Sequence, residues 1–401
     1  MVACTAVCSQ EQPIVVVISM DGVRWDYPDG ESLRAFARMQ REGLRAERLT
    51  PVYPSNTFPG HVSLATGAHP EVHGIVDNVF NDRLRGRYVY SSDASWLMAE
   101  PIWITAERQG VPAATYFWVG SESDWNGQGT RYRIAPFDGT RPDALKVAQI
   151  LQWLALPEIE RPRLIMSYFA GTDRVAHNMG PKSGRTLGQL GTQDEVLAEL
   201  LNGIDELGLW GRLTLVLVSD HGMTPISEYI SLEALLENAG IAAQVDGSTV
   251  GHVFLEDPAD LERARQVLAE GSGLEVIRGS EAQARFRFGA PNRLGDLVVL
   301  SEPPIILQRP GGFEGQLMDA LSFFGWDFGG HGFLPDLPDM GGIFLAMGRG
   351  VGEGVRTGAV HQIDVAPTIA HLLGIEPPLQ AQGQVIPALL SVPDAPPSTG
   401  R

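Results

Sequence analysis

Apolar residues in this chain fall into two kinds of pattern. Some runs are unbroken: Ile14 to Ser19 (IVVVIS) and Leu213 to Ser219 (LTLVLVS) carry branched aliphatics with no polar alternation, and Arg163 to Phe169 and Ala113 to Val119 (AATYFWV) read similarly. Strands buried on both faces look like this, as in a parallel sheet covered by helices. Other apolar residues recur at helical spacing. Leu33, Phe36 and Met39 put Ser32 to Glu42 on a helix, with Gly43 as its stop. Trp96 to Gln109, Pro142 to Leu154, Gln193 to Leu207 and Ile363 to Leu373 also predict helices, Ile343 to Met347 a further strand, and a polar turn from Thr50 to Thr57 leads into a short helix ending near Thr66. Strands alternating with helices predict an α/β fold with a mostly parallel sheet flanked by helices.

The stretch 226–310 departs from that alternation. It holds a strand (Gly251 to Leu255), a helix (Leu261 to Ala269) and two more strands (Leu274 to Ile277 and Asp296 to Leu300), which predicts a small α+β insertion acting as a lid or cap. The expected organisation is an α/β core of 13–225 plus 311–386, the insertion, and flexible termini at 1–12 and 387–401.

Composition narrows the class. The 401 residues are 44% hydrophobic, ample for a large core, and the formal net charge is −18. An acidic surface repels polyanions, and no basic stripe marks a nucleic-acid face. A small anionic substrate stays compatible, because bound metal ions reverse the local field. The only cysteines are Cys4 and Cys8, so the body has neither a disulfide framework nor a Cys-based zinc site or nucleophile. Nothing reaches the length of a transmembrane span. Residues 1–12 lack the basic and apolar regions of an intact signal peptide, though the stub of a trimmed one is compatible. The expected compartment is periplasmic or extracellular, with the cytoplasm left open.

Candidate chemistry gathers at strand ends. Asp21 follows the first strand in Ser-Met-Asp-Gly, and Asp220-His221 follows Leu213 to Ser219. Asp173 and His177 stand four apart, which on a helical turn puts both side chains on one face. His331 lies in Gly-Gly-His-Gly, where neighbours without side chains would leave room for an ion. Each alone also reads as a turn or cap residue; together they suggest O and N ligands for two divalent ions, a clamp suited to displacement at phosphorus. Thr57 opens a predicted helix, where free N–H groups attract anions. Its hydroxyl is a candidate nucleophile, with Ser55 as competitor and a capping role as the alternative. Asn78 offers an amide to a developing oxyanion.

In this order the motifs Ile18–Gly22, Tyr53–His61, Thr66-Gly67 with Pro70–Asn78, Asp173–His177, Ser219–Met223 and Gly330–Gly332 resemble the nucleotide pyrophosphatase/phosphodiesterase family of the alkaline phosphatase superfamily, over about 13–378. The resemblance implies an alkaline-phosphatase-like fold and two zinc ions, one held by Asp173, His177 and His331, the other by Asp21, Asp220, His221 and Thr57. It also implies hydrolysis of phosphodiester or pyrophosphate bonds in small nucleotide-like substrates through a phosphothreonine, with Thr57 as nucleophile and Asn78 holding a phosphate oxygen. Phe58, directly after Thr57, is a candidate for base stacking, joined by Trp118 and Tyr132. Thr172 stands where the family usually has Pro, and Gly60 where it often has Asn; neither is a ligand. A phosphonoacetate or lipid-phosphate hydrolase of the same superfamily is the alternative, and a metal- or nucleotide-binding protein with a dead site the non-enzymatic one.

Overall fold

The structure, a computed structural model, describes residues 12–30, 32–290, 292–307 and 328–390. Cys4, Cys8, the stretch 311–327 assigned to the core and most of the expected C-terminal tail lie outside the described residues. Eight strands form the central sheet, in the order Val355–Thr357, Gly43–Ala46, Phe344–Gly348, Leu213–Val218, Ile14–Met20, Leu164–Phe169, Ala113–Tyr116, Tyr132–Ile134. Phe344–Gly348 runs antiparallel to both neighbours; every other pairing is parallel. The α/β, mostly parallel expectation holds.

The unbroken apolar runs are the central strands. Each residue of Ile14–Met20, Leu164–Phe169 and Leu213–Val218 is buried, and their alternate side chains feed two cores on opposite faces of the sheet. One core is closed by the helices Arg34–Glu42, Asp143–Leu154 and Gly184–Leu207, the other by Thr57–Thr66, Ile102–Arg108 and Val365–Leu373. Boundaries moved where local chemistry overrode periodicity. The predicted helix Trp96–Gln109 splits into a 3-10 turn at Ala94–Trp96 and a helix at Ile102–Arg108, because Pro101 cannot donate within a helix and biases the residue before it to extended backbone. Gly43 stops its helix as expected, yet the chain continues directly into a strand the pattern did not predict.

The insertion has its own four-stranded antiparallel sheet, in the order Ala243–Asp246, Val250–Leu255, Leu297–Leu300, Glu275–Arg278, and a separate core with the helices Leu232–Asn238 and Leu261–Ser272. An aromatic cluster and a buried ion pair are among the contacts that bind it to the α/β core. Tyr53 packs against Phe286 and Phe288 with ring centroids 4.7 and 5.2 Å apart. Arg293, buried, pairs with Asp82 at 2.8 Å and donates to the carbonyls of Gly74 and Trp96.

Candidate active site

Because Ile14–Met20, Leu164–Phe169 and Leu213–Val218 are adjacent and parallel, their carboxyl ends open at one edge of the sheet. Asp21 and Asp220 leave two of these strands directly. Asp173 and His177 stand on the helix Gly171–Met179 that follows the third, with the i, i+4 relation expected of them. Gly22 lets the loops close up: its φ is +65°, and a Cβ there would come within 2.9 Å of the Asp173 side chain. His331 follows the short strand Phe328–Gly330.

The six side chains form two groups, Asp173 with His177 and His331, and Asp21 with Asp220 and His221, each with its ligand atoms within 4.8 Å of one another. The His221 and His331 rings stack at 3.6 Å, so the groups lie side by side. In the first, His177 Nε2 is 3.4 Å and His331 Nε2 3.7 Å from Asp173 Oδ1, and the two nitrogens are 3.1 Å apart. In the second, His221 Nε2 is 3.4 Å from Asp21 Oδ1 and 3.2 Å from Asp220 Oδ2. Thr57 Oγ1 is 3.2 Å from that same nitrogen.

The hydrogen bonds around the groups fix which atoms face inward. Nδ1 of His177, His221 and His331 lies 2.9, 2.8 and 3.1 Å from the carbonyls of Gly329, Gly222 and Ser55. A carbonyl only accepts, so each Nδ1 carries a proton and Nε2 is the atom left to face a ligand, as in metal-ligating histidines whose other ring nitrogen is held by a carbonyl. Asp21 Oδ2 is held by the Tyr168 hydroxyl and Asp220 Oδ1 by the Gly22 N–H. Asp21 Oδ1, Asp173 Oδ1 and Asp220 Oδ2 are buried with no hydrogen-bond partner among the described residues. Inward Nε2 atoms and unpaired carboxylate oxygens demand a cation. The 3.1–3.7 Å spacings also suit one, since bonds of about 2.0–2.1 Å in a tetrahedral site put ligand atoms roughly 3.3 Å apart.

Burial works against the charge of His177, but Asp173 and the Gly329 carbonyl outweigh it and raise the ring to about 9, a positive charge that a bound cation would replace. Burial, then the charges of Asp220 and Asp173, push the Asp21 carboxyl well above the ordinary range. Burial also works against the charge of Asp173, but His177, His331 and His221 outweigh it and bring the carboxyl down to about 2. Burial and the neighbouring His221 lower His331 to about 3, which keeps its ring neutral. His61 supports the site from behind: its Nδ1 is 2.8 Å from the Thr57 carbonyl and 3.3 Å from Asp220 Oδ2, while Nε2 meets Ser19 Oγ at 2.8 Å.

Thr57 is the first residue of the helix Thr57–Thr66, as expected. The competitor Ser55 is fully buried and donates to the Phe333 carbonyl, so its oxygen is committed elsewhere. Asn78 Oδ1 accepts the Phe58 N–H at 2.8 Å, so its amide NH₂, which also meets the Tyr90 hydroxyl, is the end that faces the cavity. That cavity, about 600 Å³, is lined by Asp173, His177 and His331 of one group and Asp21 of the other, by Thr57 and Asn78, and by the aromatic residues Phe58, Tyr90, Phe117, Phe137 and Tyr168, with Glu122 on its wall.

Three expectations need correction. Trp118 does not line the cavity: it is fully buried and its indole N–H is spent on the His61 carbonyl. Tyr132 does not either; it sits on the edge strand against Trp153, its hydroxyl donating to the Glu160 carbonyl. The described residues of the insertion stand clear of the cavity, so they do not form the lid the pattern suggested. The glycines around His331 also have another reason. A side chain on Gly329 would strike the Ala176 carbonyl, and one on Gly332, whose φ is +97°, would collide with Thr249 and Asn56. Tyr90, Phe117, Phe137 and Tyr168 went unidentified because they come from separate loops and strands with no shared motif.

Comparison with known proteins agrees with this geometry. The sequence model described as type I phosphodiesterase / nucleotide pyrophosphatase matches residues 15–310. Human ectonucleotide pyrophosphatase/phosphodiesterase family member 1 is 35% identical over 240 residues, 56% of this chain and 25% of that protein. Venom phosphodiesterase CdcPDE of Crotalus durissus collilineatus is 30% identical over 386 residues, 92% of this chain and 45% of that one. The chain thus spans less than half the length of these curated relatives. Among solved structures, murine ectonucleotide pyrophosphatase / phosphodiesterase 5 superposes with a TM-score of 0.81 at 25% identity, covering 91% of this chain and 96% of that one. Its inactive threonine-to-alanine form in complex with AMP matches with the same TM-score at 26% identity, covering 92% and 96%.

Proposed function

This chain belongs to the type I phosphodiesterase / nucleotide pyrophosphatase family, and from that premise we propose that it hydrolyses phosphodiester or pyrophosphate bonds in nucleotide-like substrates, with two zinc ions and a phosphothreonine at Thr57. The observation that carries the reading is the Thr57 hydroxyl, 3.2 Å from His221 Nε2, at the junction of a carboxylate–imidazole cluster and an aromatic cavity.

Asp173, His177 and His331 would hold one ion, and Asp21, Asp220, His221 and Thr57 the other. Two such ions supply charge neutralisation and Lewis-acid polarisation to an in-line displacement. Thr57 Oγ forms the new bond to phosphorus as the bond to the leaving oxygen breaks, and water later cleaves the phosphothreonine to restore the hydroxyl. The Asn78 amide donates to a phosphate oxygen as charge builds on it. Phe58, Tyr90, Phe117 and Phe137 receive the organic group.

Charge favours diesters. The described lining holds no lysine or arginine to meet the second charge of a monoester, and Glu122 adds a negative one. The same lack of a cation argues against phosphonoacetate, whose carboxylate would also need a partner. Placement of Thr57 and all six ligand residues at one edge of the sheet argues against a dead site. Export fits the names of the relatives, which are ectoenzymes and venom enzymes. Among the described residues no helix is long and apolar enough to cross a membrane.

The test is a panel of p-nitrophenyl thymidine 5′-phosphate, p-nitrophenyl phosphate and phosphonoacetate on zinc-loaded protein, with elemental analysis. The diester should give the highest kcat/KM, with two zinc per chain. A better monoester, or activity surviving chelation, would overturn the reading.

A further inference from the structure

Behind the nucleophile lies a second cluster of polar atoms that the reaction does not use. Asp77 is the hub. Its Oδ1 accepts from the Asn56 side-chain amide at 2.8 Å and from the Asn78 backbone N–H at 2.6 Å. Asn56 is the cap immediately before Thr57, and Asn78 in turn receives the Phe58 N–H. One carboxylate oxygen therefore ties together the two segments that frame the nucleophile.

The other oxygen, Asp77 Oδ2, is buried and has no hydrogen-bond partner among the described residues; neither do Thr249 Oγ1 nor either ring nitrogen of His252. His252 and Thr249 belong to the insertion. His252, fully buried on the strand Val250–Leu255, points its Nε2 at Asp77 Oδ2 across 4.0 Å. Thr249 and Asn56 share the space that Gly332 leaves open. Four buried polar atoms left unpaired would each cost about 1–3 kcal/mol. A gap of 4.0 Å is too long for a direct hydrogen bond. One water at about 2.8 Å from each side would span it, and buried waters typically satisfy such groups.

We propose that His252 of the insertion and Asp77 of the core hold one buried water, and that this junction positions Asn56 and Asn78 beside Thr57. The insertion thus serves the active site from behind, through the loops that carry the nucleophile and its amide donor. Burial lowers His252 to about 4, so its ring is neutral and offers one donor and one acceptor. Tyr53, four residues before Thr57, packs on Phe286 and Phe288 and gives the same loop a second, apolar tie to the insertion. His252 is a positioning residue here. The proposal rests on the reading of Thr57 as nucleophile and Asn78 as donor.

A crystal structure of the full chain should show a water within hydrogen-bond distance of both Asp77 Oδ2 and His252 Nε2; its absence overturns the proposal even if no variant folds. In turnover of p-nitrophenyl thymidine 5′-phosphate, His252→Leu should lower kcat about tenfold, the low end for second-shell losses, with KM within about twofold and the metal content intact. His252→Gln, which keeps a donor and an acceptor, should recover most of the loss. The double variant His252→Leu/Asn78→Ala should be no slower than Asn78→Ala alone, because both act through one amide. If Asn78→Ala is slow while folded His252→Leu turns over normally, the junction has no positioning role and the active-site reading stands. If Asn78→Ala itself turns over normally, the role given to Asn78 fails, and the junction's with it.

Discussion

Tyr168→Phe isolates one hydrogen bond of the metal-type site. The Tyr168 hydroxyl donates to Asp21 Oδ2 and thereby turns Oδ1 toward His221. The ring is packed by His61 and Phe137, centroids 4.9 and 5.7 Å away, and phenylalanine keeps those contacts, so no cavity term enters. What is lost is a hydrogen bond to a charged group, worth about 1.5–3 kcal/mol. At about 1.4 kcal/mol per factor of ten, that is roughly a 10- to 150-fold loss of metal affinity at the Asp21 site. The loss has a pH signature. Burial, Asp220 and Asp173 already raise the Asp21 carboxyl, and the Tyr168 donor opposes them. Without it the carboxyl rises further, protons compete with metal at higher pH, and the acid limb of metal binding moves toward alkaline pH. Chelator competition for zinc from pH 5 to 9, with kcat/KM at limiting and saturating zinc, reads both effects. Affinity within twofold of the unsubstituted protein, with an unshifted acid limb, would refute the reasoning.

Thr57→Ala should keep both zinc ions by elemental analysis yet lose several powers of ten in kcat; retention of about a tenth of the activity would remove Thr57 as nucleophile. Phe137→Ala should weaken a nucleoside diester by roughly 1–3 kcal/mol, as for one stacked base, and leave methyl p-nitrophenyl phosphate little affected; equal losses on both substrates in steady-state assays would contradict a stacking role. Arg293→Ala should destabilise the fold by about 3–5 kcal/mol, because it strands a buried Asp82. Burial acts to raise the Asp82 carboxyl, but the Leu84 N–H, Arg293 and the Arg85 N–H together hold it below its ordinary value. Stability from the pair is therefore present above the unfolded pKa of about 3.9 and lost as pH falls through the lower folded value. The melting-temperature gap between the two proteins should narrow below about pH 4, and a gap unchanged at pH 3 would speak against the pairing.

The central strands were legible because a strand buried on both faces must be apolar at every position, and Ile14–Met20 and Leu213–Val218 obey that rule without reference to anything distant. The candidate ligand residues stood out for a related reason: a carboxylate closing such a strand has few places to go except the sheet's carboxyl edge. Asp173 and His177 needed only one helical turn to share a face. Local rules stop at contacts made across the chain. Trp118 looked like a stacking residue, but its neighbours are His61 and the second core, brought there by sheet order. No pattern in the sequence singles out Phe137, which faces the cavity because its loop folds back over Tyr168. The insertion has its own sheet and core, while its place behind the nucleophile depends on Tyr53, Arg293 and His252 finding partners some 170 to 240 positions away. Sequence by itself determined the buried central strands and which residues could bind metal, since burial and ligand chemistry are written one position at a time. Tertiary structure alone decided which aromatic side chains wall the cavity and what the insertion touches, because those depend on the relative placement of elements that no local pattern records.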